Sequence, residues 1–418
     1  MNPRMMNAGS RILLAVLVVA GVVSGVAAVE QSQGAVRWRT AWATSQQNLG
    51  AAGTTNTTLR LIARVTVAGD AVRVRLDNAY GTSPLRIGRA SVGLRTRGAS
   101  IAPGSNRPLV FNNEAGVTIQ PGGSVRSDPV PIKVMARQDL AVSLYLPDAD
   151  VKPSQHAGAL VTSYAAAANA GDRSSVESAE PFTETMTTMP WLKAIDVQSG
   201  SSAGGIVAFG DSITDGTCAT LDAHDRWEDW LAVRLALEDE RRGGRQAQKA
   251  VLNEGIGGNT VTREGLQPAP DSTPGIERFE RDVLSHEGVT DVILFMGTND
   301  IRRGAPASQV TGGMAQIVSR LKARGLKVFG VTVIPRHNVA PAGTNTGWND
   351  AKSAIRREVN QWVRTRAGFD GVLDFDAVVR DPANADLISA PFNCDGIHPT
   401  PRGYYEMGKS VSLDLFTR

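Results

Sequence analysis

Four short motifs follow one another in the second half of the chain: Gly210-Asp211-Ser212-Ile213, Gly257-Gly258-Asn259, Gly297-Thr298-Asn299-Asp300 and Asp395-Gly396-Ile397-His398. Between them they hold what cleaving an ester through a covalent intermediate requires. A serine hydroxyl is a poor nucleophile until a neighbouring base takes its proton. His398 is the candidate for that base and for protonating the leaving alcohol. Asp395 is the candidate for holding the imidazole in the right tautomer and stabilising its cation. A tetrahedral oxyanion also needs donors. Three are to hand: the backbone N–H of Ser212, the backbone N–H of Gly258 and the side-chain amide of Asn299. Losing one such donor typically costs ~10²–10³ in turnover. Each motif alone has a plainer reading, with Ser212 capping a helix, Asn299-Asp300 in a turn, and Asp395 and His398 as a loop pair.

The elements around the motifs argue for chemistry. From 205 onward, short apolar runs at 206–209, 250–252, 292–295, 328–334 and 371–375 alternate with helical patterns. Met314, Ile317, Val318 and Leu321 keep the spacing of one helix face. Segments 354–363 and 404–415 are helix-like too, and Trp227 and Trp230 open another amphipathic stretch. Continuous apolar strands separated by amphipathic helices predict a parallel α/β sheet covered on both faces. Ligands bind such sheets outside the carboxyl ends of the strands. Ser212 follows the first strand, Gly258 the second and Asn299 the third. Asp395 and His398 lie in a loop after the fifth, before the last helix.

The first half reads differently. Segments 59–65 and 71–76 alternate apolar with polar residues, which marks half-buried strands. Turn residues at Asp77-Asn78, Gly81-Thr82 and Pro121-Gly122-Gly123 separate these from 85–87 and from a late strand at 140–145. Short strands punctuated by Gly and Pro predict an antiparallel β-sandwich. The Ser/Gly-rich stretch 199–205 predicts a flexible connection. The expected organisation is a leader over 1–28, a β-sandwich, jelly-roll-like accessory domain with its linker over 29–200, and a catalytic domain over 201–418.

Composition narrows the classes. With 418 residues, 42% hydrophobic and 20% charged, the chain has room for two cores and a targeting segment. Its net charge of +3 is small and no long Lys/Arg run occurs, which argues against a nucleic-acid partner. Five scattered histidines without a Cys/His cluster give no metal site, and no cofactor is expected. Arg4 and Arg11 precede the apolar run 12–23, and Val26-Ala27-Ala28 fits a leader-cleavage site. The apolar run is short for a membrane span. The mature chain is therefore expected to start near Val29, outside the cytoplasm, secreted or periplasmic, with no membrane insertion after cleavage. The two cysteines, Cys218 and Cys394, each lie near a candidate catalytic residue. If Ser212 and His398 meet, so do the sulfurs, and an exported chain permits a disulfide. The alternative is two small buried apolar residues.

The motifs resemble those of the SGNH (GDSL) hydrolase superfamily over about 205–418. Gly210-Asp211-Ser212-Ile213-Thr214 is similar to its first block and Asn253-Glu254-Gly255-Ile256-Gly257-Gly258-Asn259 to its second. Gly297-Thr298-Asn299-Asp300 is similar to the third, and Asp395-Gly396-Ile397-His398-Pro399 to the fifth. The resemblance implies a flavodoxin-like three-layer fold with strand order 2-1-3-4-5. It also implies a monomeric serine esterase without a metal, with Ser212, Asp395 and His398 catalytic and Ser212, Gly258 and Asn299 forming the oxyanion hole. The serine does not sit in the Gly-x-Ser-x-Gly elbow of the α/β-hydrolase lipases. A β-region leading into such a domain, with Arg226-Trp227 after the first block, resembles secreted bacterial arylesterase/acylhydrolases, some associated with xylan breakdown. Short acyl esters are the implied substrates, including acetyl groups on polysaccharide. Rival readings are a polysaccharide O-acyltransferase using the same acyl-enzyme, and a glycan-binding protein with a vestigial hydrolase domain.

Other residues have competing roles. Asp211 is expected to fix its turn through side-chain to backbone hydrogen bonds, and Asp215 flanks the serine from the other side. Asn259 is a candidate for contacting substrate or for bracing the second block. His337, beside Arg336 after the fourth strand, is a candidate for lining the substrate site, with an exposed loop as the alternative. Trp227 and Trp230 fit a core better than a sugar platform. His156 is a candidate for contacting the catalytic half from the β-region, while His224 and His286 read as surface residues.

Overall fold

The apolar runs of the second half form one sheet, whose strands we number β1 (Gly204–Gly210), β2 (Lys249–Gly255), β3 (Val289–Phe295), β4 (Lys327–Val331) and β5 (Gly371–Leu373). The computed structural model describes residues 37–200, 202–243, 248–336, 347–365 and 368–417. The leader expected at 1–28 lies outside these residues, as does His337. The strands are parallel, in the order β2-β1-β3-β4-β5. Their alternating side chains enter two cores. Val207 and Phe209 of β1 join Val310, Met314 and Ile317 of helix Ala307–Lys322. Ile206 and Ala208 join Leu231 of helix Trp227–Arg241 and Tyr404 of helix Pro401–Ser410. A strand buried on both faces needs apolar residues at successive positions, hence the unbroken runs. Trp227 is fully buried between Phe295 and Phe375. The helix expected over 404–415 stops at Ser410, where Val411 turns to extended backbone, and a short turn Asp414–Thr417 follows.

The first half is antiparallel. One sheet has the order Arg37–Ala43, Leu192–Ser199, Ala71–Asp77, Ser124–Arg126. A larger one contains Thr57–Arg64 between Ser163–Ala165 and Asp139–Leu146. The alternation at 59–65 reads as half-buried, yet Arg60 is fully covered. It donates to Ser143 Oγ at 3.0 Å and Ala99 O at 2.7 Å, beneath the Phe182 ring at 3.8 Å. The segment leading to Phe182 provides the cover, which local alternation does not register.

Flexibility between the halves is not what the structure shows: the described residues from 37 onward form one compact unit. Strand Leu192–Ser199 passes almost directly into β1. The outer edge of β2 is covered, since Val251 N donates to Thr66 Oγ1 at 3.1 Å and Gln248 Nε2 to Thr66 O at 3.0 Å. Thr40 N donates to Glu287 O at 3.1 Å. Covering an edge strand removes an exposed row of backbone groups. Ser/Gly composition governs only the link itself; the contacts come from residues far away in sequence. Among them is Lys193, fully enclosed, with its Nζ 2.9 Å from Glu254 and 2.8 Å from Asp282 of the other half. Removing one partner of a buried ion pair typically costs ~3–5 kcal/mol. Lys193→Met is expected to lower unfolding stability by that order in a urea titration. An unchanged midpoint would show that the cluster does not hold the halves together.

Candidate active site

Ser212 stands where β1 ends and a single helical turn, Ser212–Asp215, begins. Asp211 caps it, its Oδ1 accepting from Ile213 N at 3.0 Å, the role expected for it. Burial raises the Asp211 pKa to about 7, so near neutrality much of this carboxyl is uncharged. Gly210 is dictated by close approach, since a Cβ there would lie 2.2 Å from Thr214 Oγ1 and 2.8 Å from Phe295 O.

The Asp-x-x-His segment is a closed loop. Asp395 Oδ1 accepts from Ile397 N at 2.9 Å and His398 N at 2.8 Å. Cys394 N donates to His398 O at 3.0 Å, and Gly396 takes the left-handed φ of +88° that the loop requires. Helix Pro401–Ser410 then starts behind a Thr400 cap. The loop leaves Asp395 Oδ2 2.8 Å from His398 Nδ1, and His398 Nε2 lies 2.8 Å from Ser212 Oγ. A disulfide between Cys218 and Cys394 ties the segment after the serine to this loop.

Burial lowers the His398 pKa, the Asp395 carboxylate opposes without cancelling it, and the Arg336 cation adds to the lowering. For Asp395, burial would raise the pKa. The ring and backbone hydrogen bonds from His398 outweigh it and hold the carboxyl below its ordinary range. A neutral imidazole between a hydroxyl and an ionised carboxylate is the state a general base needs.

The other two motifs meet around Asn259. Asn299 Nδ2 donates to Asn259 O at 3.0 Å, leaving its second amide hydrogen for another acceptor. Gly258 has φ +73°, with no atom within 4 Å of a built Cβ, so backbone conformation rather than space calls for glycine. Asp300 ties the third motif to the chain after the second, accepting from Val261 N at 2.9 Å and Thr262 N at 3.0 Å. Asn259 is fully buried. Its amide donates to Ser272 Oγ and Thr273 O, and its Oδ1 accepts from Arg278. Every side-chain group of Asn259 is thus used inside the protein, the arrangement expected of a residue that braces the turn.

Sequence reading missed Arg278 and Glu254, and it placed His286 on the surface. His286 is buried, its Nε2 2.6 Å from Glu254 and its Nδ1 2.7 Å from Arg75. His224 is half-buried. Glu254 lies inside the second motif, but its partners come from far along the chain, and no local pattern marks Arg278. Among the described residues, one group of His, Cys, Asp and Glu has metal-ligand spacing, namely Cys218, Asp395 and His398. The Cys218 sulfur is in the disulfide and both His398 nitrogens are engaged, so this donor set does not fit a metal ion.

Residues 208–405 match the family described as GDSL-like Lipase/Acylhydrolase. The resemblance carried by the four motifs is thereby shown for this half of the chain, and with it an ester hydrolase class. Similar solved structures each cover about half of this chain. They include a carbohydrate acetylesterase from Sinorhizobium meliloti, 19% identical over 49% of this chain and 94% of its own, TM-score 0.37. A member of the lipolytic protein G-D-S-L family from Veillonella parvula is 22% identical over 51% and 98%, TM-score 0.37. A GDSL-like lipase from Bacteroides thetaiotaomicron is 20% identical over 51% and 87%, TM-score 0.35. No curated protein matches the chain. Among the described residues no helix is long and apolar enough to cross a membrane.

Two outcomes follow for this GDSL-type site. The acid limb of kcat/KM for ester hydrolysis should have its midpoint below 6.5, the ordinary histidine value, because activity is lost only once His398 is protonated. A limb centred above that value would contradict the buried, neutral base. Thiol titration of the denatured, unreduced chain should find no free thiol, and two would break the Cys218–Cys394 link.

Proposed function

We propose that the chain is an exported serine esterase that cleaves short acyl esters, acetyl esters above all, including those on polysaccharide. The observation that carries the mechanism is the unbroken relay Ser212 Oγ–His398 Nε2, 2.8 Å, and His398 Nδ1–Asp395 Oδ2, 2.8 Å. In this reading Ser212 Oγ attacks the ester carbonyl carbon as His398 takes its proton. The oxyanion accepts from the N–H groups of Ser212 and Gly258 and from the Asn299 amide. Collapse breaks the bond to the alcohol oxygen, which takes the proton from His398. Water, deprotonated by the same ring, then attacks the acyl-serine and releases the acid. No metal or cofactor takes part.

The short acyl group and the polysaccharide setting are supported by the resemblance to secreted arylesterase/acylhydrolases with an N-terminal β-region. Export is supported by the leader pattern at 1–28 and is compatible with the disulfide. The four- and six-stranded antiparallel sheets serve, in this reading, as a β-sandwich accessory region in a monomer.

The test is hydrolysis of p-nitrophenyl esters from acetate to laurate by wild type and Ser212→Ala. Turnover is expected to be highest with acetate and butyrate and to fall by roughly 10⁴-fold or more in the variant, the scale of removing a serine nucleophile. Near wild-type turnover by Ser212→Ala would sink the mechanism. A maximum at laurate would replace the short-acyl reading with a lipase.

A further inference from the structure

The N-terminal half reaches the catalytic loops through His156. This residue ends the central strand, Ser154–His156, of a small antiparallel sheet flanked by Asn48–Leu49 and Met189–Pro190. Its ring is buried, and each nitrogen faces an oxygen at 2.9 Å: Nδ1 the Ser45 carbonyl, Nε2 the Asp215 Oδ1. A neutral imidazole carries one proton and can donate to only one of these acceptors. Donating to both requires the imidazolium. Burial opposes that charge, but the Asp215 carboxylate and its hydrogen bond outweigh it and raise the His156 pKa above its ordinary value.

Asp215 passes the constraint on. It closes the helical turn that Ser212 opens, and its Oδ2 accepts from Gly257 N at 2.9 Å. Gly255 packs against the same residue so closely that a Cβ would lie 2.2 Å from Asp215 N. One carboxylate thus joins the nucleophile's turn to the turn that carries Gly258, and its other oxygen is held by the N-terminal half. The Gly258 N–H itself has no hydrogen-bond partner among the described residues.

We propose that His156 is a positioning residue for ester cleavage: its buried imidazolium orients Asp215, which holds the Gly257 N–H and so sets the Gly258 oxyanion donor. The proposal rests on the serine esterase reading above. His156 acts through Asp215 and does not touch the substrate. The N-terminal half is then part of the catalytic apparatus, whatever else it binds.

The experiment has two arms. Nitrogen NMR of histidine-labelled wild type near neutral pH should find a ring with both nitrogens protonated, absent from His156→Gln. In kinetics, His156→Gln and His156→Ala should lower kcat for p-nitrophenyl acetate by about 10²-fold, the scale of a misplaced catalytic group. KM should stay within about 2-fold, the pattern of an interaction that matters only in the transition state. Affinity for an alkylboronic acid, which mimics the tetrahedral adduct, should fall in parallel with kcat. Arg73→Gln breaks a different contact between the halves, Arg73–Glu287 at 3.0 Å, and should keep wild-type kcat. A folded His156 variant with wild-type kcat and boronic acid affinity overturns the proposal, and so does a kcat loss that Arg73→Gln reproduces. If the His156 variants fail to fold, the ring protonation of the wild type still decides, and a neutral ring overturns it. Wild type without ester turnover sinks the esterase reading and the proposal with it, whereas turnover with a neutral His156 ring sinks the proposal alone.

Discussion

One buried cation holds the candidate site together. The Arg278 guanidinium, on the short helix Gly275–Phe279, is sealed from solvent and lies over the Phe209 ring at 4.1 Å. Its Nη2 donates to Gly210 O at 2.9 Å, where β1 ends before the serine. Its Nη1 donates to Glu254 O at 3.0 Å, near the end of β2, and to Ser45 Oγ at 3.0 Å in the N-terminal half. Its Nε donates to Asn259 Oδ1 at 3.0 Å. The planar fork of an arginine can reach several such acceptors at once, and a lysine cannot. The first and second motifs are therefore spaced by a single rigid group.

A buried charge must be paired and hydrogen-bonded to be tolerated, and much of the surrounding architecture follows from that. Asp282 lies 3.1 Å from Arg278, and it also takes Lys193 and Arg281. Burial would raise the Asp282 pKa, but these cations hold it well below its ordinary range. Glu254 takes Lys193, His286 and the Ser45 hydroxyl. Lys193 and Ser45 come from the first half, the acids from the second. Pulling the halves apart would strand Glu254 Oε2, whose partners Lys193 and Ser45 both belong to the first half. The interface is thus a charge-balance requirement of the catalytic half as well as an apolar contact.

The relay runs from the surface inward. The Asp395 side chain is 43% exposed, His398 is 9% exposed and Ser212 7%. The acid can therefore stay ionised while the ring, partly desolvated and facing the Arg336 cation, stays neutral. Arg336 is itself buried beside Trp348, with Nη1 3.4 Å from Thr298 Oγ1 of the third motif. It adds to the lowering of the His398 pKa without entering the relay.

What could be read in the chain was what is local. The spacing of Asp395 and His398 marks an acid and a base in one loop, and Ser212, Gly258 and Asn299 each follow a strand. The parallel strands announce themselves because burial on both faces favours apolar residues at successive positions. The order of the four motifs along those strands then determined which residues could share a rim. What sequence could not supply is anything decided by a partner outside the local window. Arg60 alternates like a surface residue but is covered by the segment leading to Phe182. His286 sits in a polar loop and is buried against Glu254. The Ser/Gly link reads as flexible, although charged side chains elsewhere clamp the halves. Sequence alone determined which residues could share a site able to do chemistry, because motif residues and strand ends are encoded within short windows. Only the tertiary structure decided which buried charges pair, and so that the β-region bears on the catalytic loops, because desolvation and Coulomb pairing depend on distances in space that spacing along the chain does not record.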